Sequence, residues 1–241
     1  AMQTELKYAP QTLAEVVYPN AEVETLVKGF ASKQLEGNVL LYGPNGTGKT
    51  TVARLLPEAI DGSNAEVENK HISELLKMDA DELFTFFHNS IYKAEMSGGT
   101  KYFIVAEELD AVKGDFARFW TTLEKVQDRV MLIITTNEPM GIHKSLRSRC
   151  TQIPFSGYTA GKFLPRAQKI LAAEGVNLPD AQVLQQLKTI ESLDSVRAYM
   201  KLLDRIILIN GGHQPPPASA VKRGGLTLMQ GLRGSQPSSS V

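Results

Sequence analysis

Gly43-Pro44-Asn45-Gly46-Thr47-Gly48-Lys49-Thr50 follows an apolar run, Asn38–Tyr42, and precedes a stretch with helical spacing, Thr50–Ile60. The octapeptide fits G-x-x-x-x-G-K-[ST], and a strand before it with a helix after it is the context that pattern requires. Glycines let the backbone wrap closely around phosphate oxygens. The successive amides of Gly46, Thr47, Gly48 and Lys49 are expected to point into the turn, where the helix N-terminus adds partial positive charge. In such a cradle Lys49 reaches the β and γ phosphates and the Thr50 hydroxyl reaches Mg²⁺. The predicted nucleotide-binding stretch is therefore Gly43, Pro44, Asn45, Gly46, Thr47, Gly48, Lys49, Thr50 and Thr51.

Outward from this loop, strand-like and helix-like patterns alternate. Glu66–Ile72 reads as a second strand, Lys101–Ala106 as a third, Val130–Thr135 as a fourth and Thr151–Phe155 as a fifth. Between them, Asp81–Met96 has a helical apolar face of Leu83, Phe84, Phe87, Ile91 and Tyr92. Asp115 is placed to cap a helix that turns Phe116, Phe119, Trp120, Leu123 and Val126 to one side. Strands alternating with helices predict an α/β fold, a five-stranded parallel sheet covered on both faces. No strand is expected after Ser156. Three helices follow instead: Phe163–Ala173, stopped by Gly175; Pro179–Leu187; and one whose face is Leu193, Val196, Met200, Leu203 and Ile207. The expected division is an α/β nucleotide-binding domain over 1–156, a small helical lid over 157–211, and a Gly/Pro/Ser-rich flexible tail over 212–241. Within that tail Leu226–Leu232 could serve as a peptide that binds a partner.

The third strand ends in acids. Tyr102-Phe103-Ile104-Val105-Ala106 leads into Glu107-Glu108, the apolar-run-then-acids pattern called Walker B. At the carboxyl edge of a parallel sheet, a strand end delivers its carboxylates to the crevice where ligands bind. The first acid, Glu107, is expected to hold hydrated Mg²⁺, in a position usually filled by Asp. The second, Glu108, is expected to orient or deprotonate the attacking water.

Composition narrows the field. The 241 residues carry 26 Lys+Arg against 26 Asp+Glu, with 42% apolar residues, which is enough for a packed core. No apolar run approaches the roughly 20 residues of a membrane span, and no secretory h-region is seen. Ala1 ahead of Met2 reads as the remnant of a cleaved tag. The single cysteine, Cys150, excludes an internal disulfide and a thiolate zinc cluster, and His71, His88, His143 and His213 show no metal-ligand spacing. A reducing, cytoplasmic setting is the expectation. Residues 212–241 hold Lys222, Arg223 and Arg233 and no acid, so 1–211 carries −3. Any contact with nucleic acid must then come from local patches, of which Lys113 and Arg118 lie nearest the acidic pair.

These motifs in this order resemble the AAA+ ATPases, and within them the clamp-loader branch. The resemblance runs from about Tyr8 to Arg205. Tyr8-Ala9-Pro10-Gln11-Thr12-Leu13-Ala14-Glu15-Val16-Val17 is similar to the family's opening segment, which lies over the adenine; Ala9 stands where Arg is common. Thr135-Thr136-Asn137 matches sensor 1, implying that the Asn137 amide meets the γ-phosphate or the attacking water. Ser148-Arg149-Cys150 is a marker of clamp-loader subunits and implies that Arg149 is an arginine finger acting in trans on a neighbour's nucleotide. Lys144 and Arg147 beside it read as solvated helix residues. Ser195-Val196-Arg197-Ala198-Tyr199-Met200 resembles the lid's sensor 2 helix, with Arg197 reaching the phosphates. The resemblance implies ATP and Mg²⁺ as ligands, a homo- or hetero-oligomer of AAA+ subunits, and DNA with a sliding clamp as partners. No cysteine set for the clamp-loader zinc module is seen, and after Asn210 the given sequence is expected to hold only the tail and not the collar, either because it is a piece of a longer chain or because the protein is a compact relative that assembles through its AAA+ modules alone. Two other uses of the same engine stay open: a helicase loader, transposition regulator or protein remodeller, and a nucleotide-binding scaffold with little turnover.

Overall fold

The computed structural model describes residues 4–68, 70–109, 114, 116–142 and 144–211. The expected Asp115 cap, Lys113 and the tail 212–241 with its Leu226–Leu232 peptide lie outside the described residues. A short helix, α1 (Thr4–Lys7), and a 3₁₀ turn lead to α2 (Ala21–Ala31), whose cap Asn20 accepts a hydrogen bond from the Val23 amide. Then come β1 (Asn38–Tyr42), α3 (Lys49–Asp61), β2 (Glu66–Val67), α4 (Ile72–Leu75), α5 (Ala80–Met96), β3 (Tyr102–Ala106), α6 (Phe116–Glu124) and β4 (Val130–Thr136). The chain continues through α7 (Lys144–Arg147) and β5 (Cys150–Pro154), and ends in α8 (Ala160–Ala173), α9 (Asp180–Lys188) and α10 (Val196–Ile209).

The five strands form one parallel sheet in the order β2-β3-β4-β1-β5. Its inner strands β3, β4 and β1 are buried along nearly their whole length because both faces are covered, whereas the edge strands β2 and β5 carry half-buried or exposed polar residues. Leu40, Ile104, Leu132 and Ile134 point into a core shared with α4, α5 and α6. Val39, Leu41, Phe103, Met131, Ile133 and Ile153 point to the opposite face and pack on α2 and α3. A third core joins α8, α9 and α10 around Phe163, Leu171, Leu187, Tyr199 and Leu203. Tyr8 and Val17, far away in sequence, pack against that third core. The opening segment thus leans on the terminal helices. The Thr4 hydroxyl donates to the Met200 carbonyl, and Arg166 Nη2 donates to the Tyr8 carbonyl at 2.6 Å.

Three expectations need correction. The second strand is only Glu66–Val67. The His71 ring accepts from the Ser73 amide and caps α4, so Ile72 is buried from a helical turn. On α5 the inward stripe is Leu83, Phe87, Ile91 and Ala94, while Phe84 and Tyr92 are exposed. They sit one residue, about 100°, off the stripe that the sheet selects. Leu193 is likewise exposed, in a 3₁₀ turn ahead of the cap Ser195, and α10 begins only at Val196.

Candidate nucleotide site

In the order β2-β3-β4-β1-β5, the chain leaves β1 for the far side of the sheet, so β1 and β4 flank the switch point where a crevice opens at the carboxyl edge. The loop 43–48 follows β1 there. Gly43 has φ of +145°, and a Cβ on it would lie 2.4 Å from the Phe155 carbonyl oxygen. Only glycine lets the loop pass under the end of β5. Gly46 has φ of +76°, and its Cβ would lie 2.7 Å from Ser195 Oγ and 2.9 Å from Arg197 Cβ. Two glycines therefore set the loop against the sheet on one side and against α10 on the other.

Lys49 is buried. Its Nζ donates to the carbonyl oxygens of Gly43, at 2.8 Å, and Pro44, at 2.6 Å, so the ammonium sits in the mouth of the loop. Asn45, Gly46, Thr47, Gly48, Lys49, Thr50 and Thr51 all face one cleft. Opposite them stand Val17, with Tyr8, Pro10 and Val16, and from the helices Phe163 and Met200. This apolar half is of a kind that suits a purine ring. Glycine amides and the Lys49 ammonium on the other half suit a polyphosphate, so the residues present fit a nucleoside triphosphate.

Glu108 lines the cleft and turns the chain with φ of +50°; its amide donates to Thr135 Oγ1 at 3.1 Å. Asn137 lines the same cleft from the end of β4. Glu107 lies elsewhere. It forms a two-pronged pair with Arg54, one turn beyond Thr50 on α3, and is not among the residues facing the cleft. Strand alternation explains this: Phe103, Val105 and then Glu107 share the face on which α3 packs. Among the described residues no group of three His, Cys, Asp or Glu side chains could hold a metal alone. A magnesium ion at Thr50 fits only as a partner of phosphates, which is its usual mode.

The helical part closes the cleft through main-chain contacts. The Arg197 amide donates to the Gly46 carbonyl at 3.0 Å, and the Tyr158 hydroxyl donates to the Thr47 carbonyl at 2.6 Å. Burial, and then the nearby Asp194 charge, raise the Tyr158 phenol well above its ordinary value, so it remains a donor. The Arg197 side chain lines the cleft with its Nε on Glu5 Oε1 at 3.0 Å. Arg54, Tyr158 and Arg166 have no signature of their own in the sequence. Only Arg54 could have been inferred, since i, i+4 spacing stacks it on Thr50.

Arg149 is far from this cleft. It precedes β5, and Cys150 pairs with Asn38 at the start of β1, whereas the loop 43–48 follows Tyr42 at the other end. Four strand steps of about 3.3 Å put it about 13 Å away along the sheet, at the opposite edge. There its Nε donates to Glu124 Oε1 at 2.9 Å. Nearby, Lys144 is exposed, while Arg147 is half-buried with Nη1 on Met140 Sδ. Arg118, named above as a candidate contact for nucleic acid, is half-buried too, and its Nη1 donates to the Met78 carbonyl at 2.8 Å.

A phosphate-binding loop at the switch point of a parallel sheet, closed by helices, defines a P-loop nucleotide-binding protein. The family of ATPases associated with various cellular activities, AAA, matches residues 39–158, from β1 to Tyr158, and the chain belongs to that family. Its relatives make it clamp-loader-like. It is 25% identical to DNA polymerase III subunit tau of Bacillus subtilis, over 85% of this chain and 39% of that protein. It is 27% identical to the replication factor C large subunit of Methanosarcina mazei, over 74% and 30%. With the sliding-clamp-loader large subunit of Escherichia phage RB69 it shares 30% identity over 76% and 58%. The chain thus spans between about a third and three fifths of the length of these relatives. A RuvB mutant of Thermotoga maritima superposes with a TM-score of 0.59 at 15% identity, over 83% of this chain and 67% of that one, a likeness of fold. Among the described residues no helix is long and apolar enough to cross a membrane.

Proposed function

We propose that the chain is one subunit of an oligomeric ATPase that hydrolyses ATP to ADP and phosphate and couples the cycle to loading a sliding clamp on DNA. Residues 1–156 carry the nucleotide and 157–211 act as its lid. The observation that carries this reading is the placement of Arg149 at the sheet edge opposite the cleft. A guanidinium there is out of reach of its own nucleotide and is offered to the site of an adjacent subunit, whether a second copy or a related AAA+ chain.

In this reading the amides of Gly46, Thr47, Gly48 and Lys49 bind the phosphates. Lys49 exchanges its carbonyl partners for phosphate oxygens, while Val17 and its neighbours hold the base. Thr50 and Glu107 would hold Mg²⁺, Glu107 leaving Arg54 to do so. When bound, the ion neutralises charge on the β and γ phosphates. Glu108 accepts the proton of the attacking water, and Asn137 orients that water. Arg149 of the neighbour stabilises the charge that develops on the transferred group. Arg197 contacts the γ-phosphate from α10 and so ties lid position to nucleotide state.

The test measures ATP turnover with and without primed DNA and a sliding clamp, beside the mass of the species formed with a non-hydrolysable nucleotide. Parent protein should assemble and be stimulated. Glu108→Gln and Arg149→Ala should each lose turnover by about 10²-fold or more while still binding ATP. A strictly monomeric, active protein overturns the reading. Stimulation by another protein with indifference to DNA would replace clamp loading by a remodelling role. Tight binding with no phosphate release in any assembly would leave a scaffold.

A further inference from the structure

The sheet edge that carries Arg149 also carries the only tryptophan of the chain, Trp120. Both belong to one small cluster. Trp120 and Glu124 are one turn apart on α6, and Trp120 Nε1 donates to Glu124 Oε1 at 2.8 Å. The same carboxylate oxygen accepts from Arg149 Nε at 2.9 Å. The Arg149 guanidinium in turn lies over the indole, 5.3 Å from its centroid. The indole is 7% exposed and belongs to the core beneath α5 and α6, whereas the Arg149 and Glu124 side chains are about two fifths exposed.

An exposed Arg–Glu pair by itself contributes little. This one is different because the acid is steered by a donor that the core immobilises, and the cation is also held by the ring face. A long, mobile side chain is thereby held on a rigid platform. Charged donors that are in place before reaction stabilise a transition state without reorganising during it. We propose that Glu124 and Trp120 are the positioning residues of the Arg149 finger: they set its guanidinium for the neighbouring subunit's nucleotide. The inference rests on the proposed trans role of Arg149. It adds that the emission of Trp120 reports whether the finger is docked.

The experiment mixes two chains. A donor carrying Glu108→Gln, inactive at its own site, is added to an acceptor carrying Arg149→Ala. The donor should restore turnover at acceptor sites. Adding Glu124→Gln to the donor should cut the restored kcat by about tenfold, with KM for ATP within about twofold. Glu124→Asp in the donor should recover part of the loss. Glu124→Gln placed on the acceptor instead should change nothing. If the donor without the Glu124 change restores no turnover, the trans role of Arg149 fails and takes this inference with it. If the trans role holds but donor Glu124→Gln restores as much as its parent, or the loss follows the substitution onto the acceptor, the positioning role alone is overturned. Independently, Arg149→Ala and Glu124→Gln should each change the intensity or maximum of Trp120 emission in the otherwise unaltered protein. Emission identical to the parent in both variants would also overturn it.

Discussion

Arg54 grips Glu107 with two parallel hydrogen bonds, Nε to Oε1 at 2.6 Å and Nη2 to Oε2 at 2.9 Å. The pair joins the helix that follows the phosphate loop to the acid that ends β3. In the proposed cycle Glu107 must leave Arg54 to reach the ion near Thr50, so the guanidinium competes with the metal. Both side chains are part-exposed, which limits the pair to about 1 kcal/mol or less. Arg54→Ala should therefore lower the Mg²⁺ concentration for half-maximal turnover by up to about fivefold, and Glu107→Gln should raise it. A magnesium titration of ATP turnover reads both shifts, and an unchanged midpoint in both variants would remove Glu107 from the metal site.

Gly46 is where the phosphate loop meets α10, its carbonyl accepting from the Arg197 amide at 3.0 Å. With φ of +76° and Ser195 and Arg197 within 3 Å of any Cβ, Gly46→Ala meets both backbone strain and a clash. The left-handed conformation alone costs about 1–2 kcal/mol. The variant should bind ATP at least about tenfold more weakly, as read by calorimetry, while Gly161→Ala, in the first turn of α8 where nothing lies within 4 Å of the added Cβ, should retain affinity.

Asp61 fastens the far end of α3 to the start of β3. Its carboxylate accepts from the Thr100 amide and hydroxyl and from the Lys101 amide, and Lys33 Nζ lies 3.4 Å away. Burial would raise this carboxyl, but those donors together outweigh it and hold the group below its ordinary value. A depressed folded value means that the stabilisation is complete above about pH 4, the ordinary range. It is then lost as pH falls through the lower, folded value. Asp61→Asn should cost about 1–3 kcal/mol at pH 7, and urea unfolding at descending pH should show the gap from the parent closing.

Tyr199 stacks on Phe163 with centroids 4.8 Å apart, at the back of the cleft, and its buried hydroxyl has no hydrogen-bond partner among the described residues. Burial, followed by the nearby Glu191 and Asp194 charges, pushes the phenol up to about 12. Removing an unsatisfied buried hydroxyl while keeping the ring should leave stability unchanged or raise it by up to about 1 kcal/mol. Thermal melting of Tyr199→Phe checks this; a clear loss would reveal a partner for the hydroxyl.

The loop Gly43–Thr50 could be read directly because its residue types and spacing are the mechanism: glycines at forced backbone angles, then a cation and a hydroxyl at the helix start. The buried strands were equally legible, since a parallel sheet covered on both faces needs continuous apolar runs. The reading failed where a local pattern had two solutions. Phe84 and Tyr92 suit a helical face as well as Leu83 and Ile91 do, and only the packing of α5 on the sheet selects between them. The expected strand over Glu66–Ile72 ends at Val67, and His71 caps α4 instead, a signal that apolar patterning does not register.

Sequence alone determined the chemistry available here: a glycine-rich loop with a lysine and a threonine, a pair of acids, an asparagine at a strand end and an arginine beside a strand. Tertiary structure decided how those groups are shared out. It paired Glu107 with Arg54 across 53 residues and Arg149 with Glu124 across 25, and set Arg149 and the cradle at opposite edges of one sheet. The physical reason is that hydrogen bonds and charges act across a few ångströms of space, and proximity between distant positions exists only once strand order and helix packing have brought them together.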